Sequence, residues 1–259
     1  MTETPPNTPG AALVTGAGKR IGHAIARDLA AHGWSVALHY STSAEGAEEL
    51  IAQITAEGGK AVALQADFAD PDAVDGLVPR AAEAIGPLTL LVNSAAVFDR
   101  DEIGTIGHET WQRNIDINLR APTFLAQAFA NQRPAGAKAN IINILDQRVL
   151  SPTPFFTSYT ASKMGLHGMT QAWALSLAPD IRVNAIGPGF TLPSVNQTDE
   201  QFAESERLQP LQRGTTPQEI ADAVRFIVGA PAMTGQIIVL DGGQHLAWAH
   251  LKGGWPLEG

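Results

Sequence analysis

The chain of 259 residues contains no cysteine, and aromatic residues make up only 6% of it, with two tyrosines. The lack of cysteine excludes disulfides, zinc–thiolate sites, iron–sulfur clusters and thiol nucleophiles. No run of 18 apolar residues occurs, so no segment is predicted to cross a membrane as a helix. The segment from Met1 to Pro6 has neither a basic nor an apolar stretch, and we expect no signal peptide. These absences predict a soluble, cytoplasmic protein.

Positive charge is also scarce, because 17 basic residues stand against 26 acidic ones and give a net charge of −9. A chain without basic runs lacks the electrostatic footprint for nucleic acid or an anionic membrane, so we expect neither as a partner. The apolar content of 44% is typical of a globular protein. His167, His245 and His250 do not have the spacing of metal ligands, and no metal site is predicted.

Short apolar runs alternate along the chain with amphipathic segments, such as the helical pattern of Ile21, Ile25 and Leu29. The apolar runs predict seven buried strands, at Ala11–Thr15, Ser35–His39, Ala61–Gln65, Leu88–Asn93, Ala139–Leu145, Ile181–Ile186 and Gln236–Leu240. Helix starts are predicted at Pro71, Pro154 and Pro217, and helix ends near Gly33, Gly58 and Gly86. This alternation is typical of βαβ units that form one parallel sheet.

The predicted fold is α/β, a single doubly wound Rossmann domain whose seven-stranded parallel sheet has helices on both faces. It covers residues 10–259 and follows a flexible, proline-rich tail at 1–9. The polar, weakly periodic segment at 189–213 is predicted to be a mobile substrate loop with a short helix.

A glycine-rich turn, Thr15–Gly22, follows the first predicted strand. Gly16 and Gly22 bracket the entry into a helix whose free N–H groups can bind a pyrophosphate. It is not a Walker A loop, because Lys19 is followed by arginine instead of serine or threonine. Any strand–helix turn can use glycine for a positive φ, but the position after the first strand favours a dinucleotide site.

The second predicted strand ends in His39, Tyr40, Ser41, Thr42 and Ser43, without the acid that normally holds the 2′-hydroxyl of NAD. The nearest acid, Glu45, is predicted to lie on a helix. Hydroxyls can donate to a phosphate and Arg20 adds positive charge, so the sequence favours NADP (NADPH) over NAD. Alternatively, Ser41 and Ser43 only turn the chain and cap the next helix, and Arg20 is solvated.

Tyr159 and Lys163 are four residues apart and are predicted to share one helical face. A free tyrosine titrates near pH 10, and a lysine one turn away lowers that pKa. Such a pair is usually only a surface contact. Here it is accompanied by the glycine turn, by Asn93–Ala96, by Asn118 and by Gly187–Gly189.

With these motifs in this order, the chain from about 11 to 246 resembles the short-chain dehydrogenase/reductase superfamily, whose C-terminal signature is similar to Asp241-Gly242-Gly243. Ser94 and Ala96 depart from the family's Asn-Asn-Ala-Gly segment. The resemblance implies a catalytic Asn118, Tyr159 and Lys163. The cofactor contacts that it implies are Gly16, Lys19, Arg20, Ile21, Gly22, His39, Tyr40, Ser41, Thr42, Ser43, Asp67, Phe68, Asn93, Ala95, Tyr159, Lys163, Pro188 and Gly189.

Two departures from the superfamily pattern are informative. Arg20 replaces the middle glycine of the turn, and Asp146 stands 13 residues before Tyr159, where the family has its catalytic serine. In both positions the chain resembles the pteridine reductases and the bacterial dihydromonapterin reductases. The segment that begins His39-Tyr40 is also similar to the end of their second strand. In that branch the phenylalanine at the position of Phe98 stacks on the pterin. Alternatives are that Ser151 or Ser158 replaces the serine, although both offsets are wrong, and that Phe98 is an ordinary lid residue.

An ionised Asp146 cannot donate to a carbonyl oxygen, but it suits a C=N bond whose nitrogen gains a proton. We therefore expect an NADPH-dependent reductase of a dihydropterin-type substrate: dihydromonapterin, dihydrobiopterin or dihydrofolate. The resemblance implies that Tyr159 donates the proton, Asp146 anchors the substrate with Tyr159 and Phe98, Lys163 binds the ribose, and Asn118 supports a lysine–water relay.

Two other functions stay open. One is a carbonyl or 3-oxoacyl reductase of the same superfamily, and the other is a non-catalytic NADP-binding protein. Because relatives are usually tetramers, we expect a homotetramer, in which the tail Gln244–Gly259, with Trp248 and Trp255, can pack on a neighbouring subunit.

Overall fold

The computed structural model describes residues 9–194 and 197–246, in which one seven-stranded parallel sheet has the order β3-β2-β1-β4-β5-β6-β7. This confirms the predicted fold class. The strands are β1 Ala11–Val14, β2 Ser35–Tyr40, β3 Lys60–Gln65, β4 Leu88–Asn93, β5 Ala139–Ile144, β6 Ile181–Pro188 and β7 Ile237–Leu240. The predicted tail before Pro9 and the segment with Trp248, His250 and Trp255 lie outside the described residues.

Eight α-helices occur within the described ranges and cover both faces of the sheet. They are α1 Arg20–Ala31, α2 Ala44–Ala56, α3 Pro71–Ile85, α4 His108–Ile115, α5 Ala121–Gln132, α6 Thr157–Ser176, α7 Asp199–Arg207 and α8 Pro217–Val228. Residues of α1, α2 and α8 form a core on one face, and residues of α3, α5 and α6 form a core on the other. None of these helices combines the length and apolar composition needed to span a membrane.

Helix boundaries follow the predicted signals with one exception. Pro71 and Pro217 are the first residues of α3 and α8, and Gly86 ends α3 with a φ of +94°. Pro154, however, does not start a helix, so that prediction was wrong. α6 begins at Thr157 after Phe156, whose φ of +60° turns the chain into the helix from a left-handed conformation.

The strand order reverses direction between β1 and β4, which are neighbours at the centre of the sheet. In such sheets ligands bind outside the carboxyl ends of the strands at this switch point. The segment 189–213 contains the predicted short helix, α7, and is tied down by bonds from Thr215 N to Phe190 O and from Leu211 N to Gly242 O. Its mobility stays a prediction.

Candidate active site at the carboxyl edge of the sheet

The glycine turn is packed directly against the end of β4. Thr15 Oγ1 accepts hydrogen bonds from the backbone N–H groups of Ser94 and Ala95 at 2.9 and 3.0 Å. Gly16 has a φ of +68°, and a Cβ there would lie 2.8 Å from the Cα of Ala95. A Cβ on Gly22 would likewise overlap the carbonyl oxygen of Gly16. The turn therefore needs glycine at both positions, for conformation at one and for close approach at both.

His39 supports this turn from inside the protein. Its Nδ1 accepts from the N–H of Gly16 at 3.1 Å, so its Nε2 carries the proton and donates to the carbonyl of Ala66 at 3.1 Å. Its ring stacks on Phe68 at 4.1 Å. Burial lowers the pKa of His39 to about 4, so the ring is neutral at physiological pH. His39 and Phe68 were predicted to contact a cofactor. In the structure His39 supports the turn directly, and Phe68 packs against His39.

The N-terminus of α1 has the properties of an anion site. Its N-cap residue, Lys19, makes no side-chain capping bond. The first turn, which includes Arg20 and Ile21, contains no acidic residue. The first N–H groups of a helix have no intrahelical partner and carry partial positive charge. This donor set fits the pyrophosphate of a dinucleotide.

Hydroxyl side chains, and no carboxylate, follow Tyr40 at the end of β2. Ser41 and Thr42 are exposed. Ser43 occupies the N-cap position of α2, but its hydroxyl makes no capping bond, and Glu45 is already in the first turn of that helix. The interpretation that Ser43 caps the helix through its side chain is therefore not borne out, and the hydroxyl stays available.

Arg20 points to a different part of the site from the one expected. Its guanidinium donates to the carbonyls of Pro193 and Leu192 at 2.9 and 3.3 Å, in the segment that follows β6. In the sheet β6 lies four strands away from β2. The expectation that Arg20 adds charge beside a 2′-phosphate therefore has no support in this geometry. The residue instead joins the start of α1 to the predicted substrate loop.

Other predicted cofactor residues lie along the same carboxyl edge. Asp67 follows β3 and accepts from the N–H of Ala69 at 2.9 Å. Asn93 ends β4 and is buried, donating to Asn143 Oδ1 at 2.8 Å. Pro188 ends β6, two residues beyond the predicted strand end at Ile186. A Cβ on Gly189 would lie 2.6 Å from the Cβ of Asp241, so the C-terminal signature packs against this turn.

The phenol of Tyr159 donates to Asp146 Oδ2 at 3.1 Å. Asp146 Oδ1 accepts from the backbone N–H of Arg148 at 2.8 Å, because Asp146 caps a short 3₁₀ turn at 147–149. Burial and the charge of Asp146 raise the pKa of Tyr159 well above its usual value, and Arg148 partly opposes them. The predicted offset of 13 residues thus brings the two side chains together, and Tyr159 keeps its proton at neutral pH.

Lys163 lies one helical turn beyond Tyr159 on α6, as the spacing predicted. Its Nζ donates to the carbonyl of Ile144 at 2.8 Å and lies 5.7 Å from the centroid of the Tyr159 ring. Burial lowers the pKa of Lys163 to about 8, and the charge of Asp146 works against that shift. The ammonium is therefore charged at neutral pH and close to the phenol.

Asn118 lies in a π-helical segment, at 116–120, between α4 and α5. Its amide exchanges two hydrogen bonds with the backbone of Val97, at 2.9 and 3.0 Å, and donates to Ser162 Oγ at 3.1 Å. Ser162 precedes Lys163, so Asn118 connects the segment after β4 to the helix that carries Tyr159 and Lys163. π-helical segments are often found at functional sites. The predicted relay role of Asn118 stays a prediction.

Phe98 lies beside Tyr159, and it is 42% exposed. The ring stacks on Phe156 at 4.1 Å and meets the edge of the Tyr159 ring at 4.7 Å. Ser158 does not replace the missing serine, since it is fully buried and its hydroxyl donates to the carboxylate of Asp101. The exposed ring of Phe98 is positioned to meet a flat ligand next to Tyr159.

Two residues of this site, Asp101 and Arg148, were not predicted from the sequence. The carboxylate of Asp101 accepts from the N–H of Ser158 at 3.1 Å, and its carbonyl accepts from the N–H of Phe156 at 2.7 Å. Asp101 therefore caps α6 from another part of the chain, which explains a helix start without its own capping signal. The signal for Arg148 was its place two residues after Asp146.

A model of the family described as enoyl-(acyl carrier protein) reductase matches residues 16–245, most of the chain. This chain belongs to the short-chain dehydrogenase/reductase family. The same family includes a 3-oxoacyl-[acyl-carrier-protein] reductase from Synechocystis, which is 35% identical over 90% of this chain and 95% of its own length.

Two solved structures of the family are more similar in sequence. FolM alternative dihydrofolate reductase 1 from Brucella canis, complexed with NADP, is 44% identical and superposes with a TM-score of 0.89 over 92% of this chain and 94% of its own. The protein of the same name from Brucella suis, also in complex with NADP, is 43% identical with a TM-score of 0.90, over 95% and 98% of the two chains.

The neutral His39 makes folding stability depend on pH. Its pKa of about 4 in the folded protein lies below the value near 6.5 of an unfolded histidine, so the unfolded chain binds the extra proton first. The contribution of the neutral His39 to the free energy of unfolding is fully present above about pH 6.5. It is lost as pH falls towards 4, by up to about 3 kcal/mol. Urea unfolding between pH 7 and about 4.5 should therefore show a steeper loss for the wild type than for His39→Gln. Parallel pH dependences would contradict this account.

Proposed function

We propose that the protein is an NADPH-dependent reductase that transfers hydride to a C=N bond of a dihydropterin-type substrate, in the pteridine reductase branch of its family. The observation that carries the proposal is the hydrogen bond from Tyr159 to Asp146. A carboxylate that accepts from the proton donor cannot also donate to a carbonyl oxygen, whereas it stabilises the cationic character of an imine nitrogen. The Brucella FolM proteins, named alternative dihydrofolate reductases, support the same chemistry.

The residues that would hold the cofactor are those of the glycine turn, the N-terminus of α1, the hydroxyls of Ser41 and Ser43, and Lys163. When bound, NADPH supplies the hydride. The protein's own task is to deliver a proton to the nitrogen of the C=N bond, and the raised pKa of Tyr159 keeps that proton on its phenol until the substrate arrives. The buried positive charge of Lys163 then stabilises the phenolate that remains, 5.7 Å from its ring centroid.

Asp146 and Phe98 would select the substrate. Asp146 offers an acceptor to a ring N–H of the pterin, and its negative charge favours the protonated nitrogen. The partly exposed ring of Phe98 lies beside Tyr159 and offers a flat apolar surface for a heterocycle. A substrate held by these two groups places its ring next to the Tyr159 hydroxyl.

A second candidate is a carbonyl or 3-oxoacyl reductase, which the relatives of that name favour. A single experiment separates the candidates: NADPH oxidation is measured with dihydropterins, dihydrofolate, ketones and a 3-oxoacyl thioester. Turnover of pterins or folate with little turnover of ketones is expected. Preferential ketone turnover would make the second candidate correct, and no oxidation with any substrate would indicate a non-catalytic NADP-binding protein.

We expect NADPH to bind about 10-fold or more tightly than NADH, since one or two charge-assisted bonds from the β2–α2 hydroxyls would hold the 2′-phosphate. Dissociation constants from cofactor fluorescence test this directly. Arg20→Ala serves as the control, because its guanidinium is bonded to the carbonyls after β6 and its loss should weaken both cofactors alike. Equal affinities of the wild type for the two cofactors would contradict the NADPH preference.

We further propose that the enzyme is a cytoplasmic homotetramer. Large apolar side chains on α5 and α6, namely Phe124, Met164 and Met169, are more than a third exposed and would be covered by another subunit. Light scattering on the purified protein would measure the mass, and a monomer would exclude the tetramer.

A further inference from the structure

Arg148 brings a buried positive charge into the candidate site from the 3₁₀ turn that follows β5. The residue is only 7% exposed. Its Nη1 lies 3.4 Å from each oxygen of the Asp146 carboxylate, while its backbone N–H donates to one of them at 2.8 Å. The same carboxylate accepts from Tyr159. Asp146 therefore lies between a cation and the proposed proton donor.

The guanidinium of Arg148 also contacts the aromatic side of the site. Its central carbon is 5.3 Å from the centroid of the Phe98 ring and 5.1 Å from that of Phe156. Both distances are within the range at which a cation is attracted to a ring face. One side chain thus contacts both the acid and the stacked rings.

We propose that Arg148 is a positioning residue of this site, which holds Asp146 as an oriented anion against Tyr159 and fixes Phe98 and Phe156 beside it. Its effect on rate rests on the proposed reductase function. Its effect on the charge of Asp146 rests only on the geometry given above.

Among the residues that the structure describes, Arg148 is the cation that forms a salt bridge with Asp146. From α6, Tyr159 is neutral, and Lys163 interacts with the charge of Asp146 but directs its Nζ to the carbonyl of Ile144. From the neighbouring 3₁₀ turn at 244–246, His245 is paired with Asp241 at 2.7 Å. From β6, Gly187 lies next to the backbone of Asp146, and it carries no charge.

Removing a partner from a buried ion pair leaves an uncompensated charge, which protonation then relieves. Without Arg148, Asp146 would take up a proton at a higher pH. A protonated Asp146 no longer offers a charge to an imine nitrogen, and it no longer opposes ionisation of Tyr159. The acid side of the pH dependence of kcat/KM should therefore move to higher pH.

The experiment measures the ionisation of Asp146 without any substrate. The protein is labelled with ¹³C at the aspartate carboxyl carbons, the Asp146 signal is assigned by its absence in Asp146→Asn, and its titration is followed in the wild type, Arg148→Met and Arg148→Lys. In Arg148→Met the midpoint should rise by about one pH unit or more, and Arg148→Lys, which keeps the charge, should restore most of that shift. A midpoint unchanged in Arg148→Met would overturn the proposal.

The same variants are then assayed for kcat/KM against pH on whichever substrate the wild type reduces. The acid limb should move with the NMR midpoint in Arg148→Met and stay in place when Arg148→Met is added to Asp146→Asn. A shift in the titration without turnover of any pterin would refute the proposed function and leave the charge assignment standing. If Arg148→Met does not fold, recovery of folding in Asp146→Asn/Arg148→Met supports the pairing, and failure to recover contradicts it.

Discussion

Tyr159→Phe should lower kcat by about 10²- to 10⁴-fold, the range found when a positioned proton donor is removed. The substitution deletes one oxygen and leaves the ring in its contact with Phe98, so the apolar packing of the site is kept. NADPH affinity should stay close to that of the wild type. Steady-state kinetics with a saturating pterin, together with cofactor titration, measure both quantities.

Lys163→Ala is the matched comparison for this variant. It removes the charge near the phenol and the group expected on the nicotinamide ribose, so turnover and NADPH affinity should both fall. A Tyr159→Phe enzyme with wild-type turnover would mean that Tyr159 is not the donor, whatever the effect of Lys163→Ala.

Asp146→Ser is expected to change the class of substrate. Losing the charge removes the acceptor for a ring N–H and a cause of the raised pKa of Tyr159. One buried charge-assisted bond corresponds to about 1.5–3 kcal/mol, or roughly 10- to 150-fold in kcat/KM for pterins. The new hydroxyl restores a donor for a carbonyl oxygen, so turnover of ketones should stay level or rise. The quantity to measure is the ratio of the two kcat/KM values.

Asp146→Asn controls for shape in that experiment. It keeps the size of the side chain and loses the charge, so it should lose pterin reduction without gaining the hydroxyl donor. If the ratio of pterin to ketone kcat/KM does not change in Asp146→Ser, Asp146 does not determine the substrate class and the carbonyl reductase becomes the better hypothesis.

The strand positions and the contact between Asp146 and Tyr159 could be predicted from the sequence, because both depend on local patterns. Buried parallel strands are apolar along their length, so all seven were found to within about two residues at either end. The contact between Asp146 and Tyr159 follows from the end of a strand, a short turn and a helix that folds back. A separation of 13 residues is enough for this strand end, turn and helix start, and it brings the two side chains together.

Contacts between distant segments could not be predicted in this way. The capping of α6 by Asp101 joins residues 57 positions apart, and no periodicity relates them. The direction of Arg20 depends on its φ of +56°, a left-handed conformation that is uncommon for a residue other than glycine. Arg148 was missed because its position on a 3₁₀ turn determines whether its side chain faces solvent or the site.

Two glycines bring the backbone of the cofactor turn against the connection from β2 to α2. A Cβ on Gly18 would lie 2.6 Å from the carbonyl oxygen of Ser43, and a Cβ on Gly46 would overlap the carbonyl of Gly18. An insertion in this connection would therefore displace the turn itself. Ser41 and Thr42, in contrast, project from the protein surface. A change of nucleotide preference among homologues is therefore expected in the side chains at these two positions. A redesign for NADH should begin with the same positions and preserve the length of the loop.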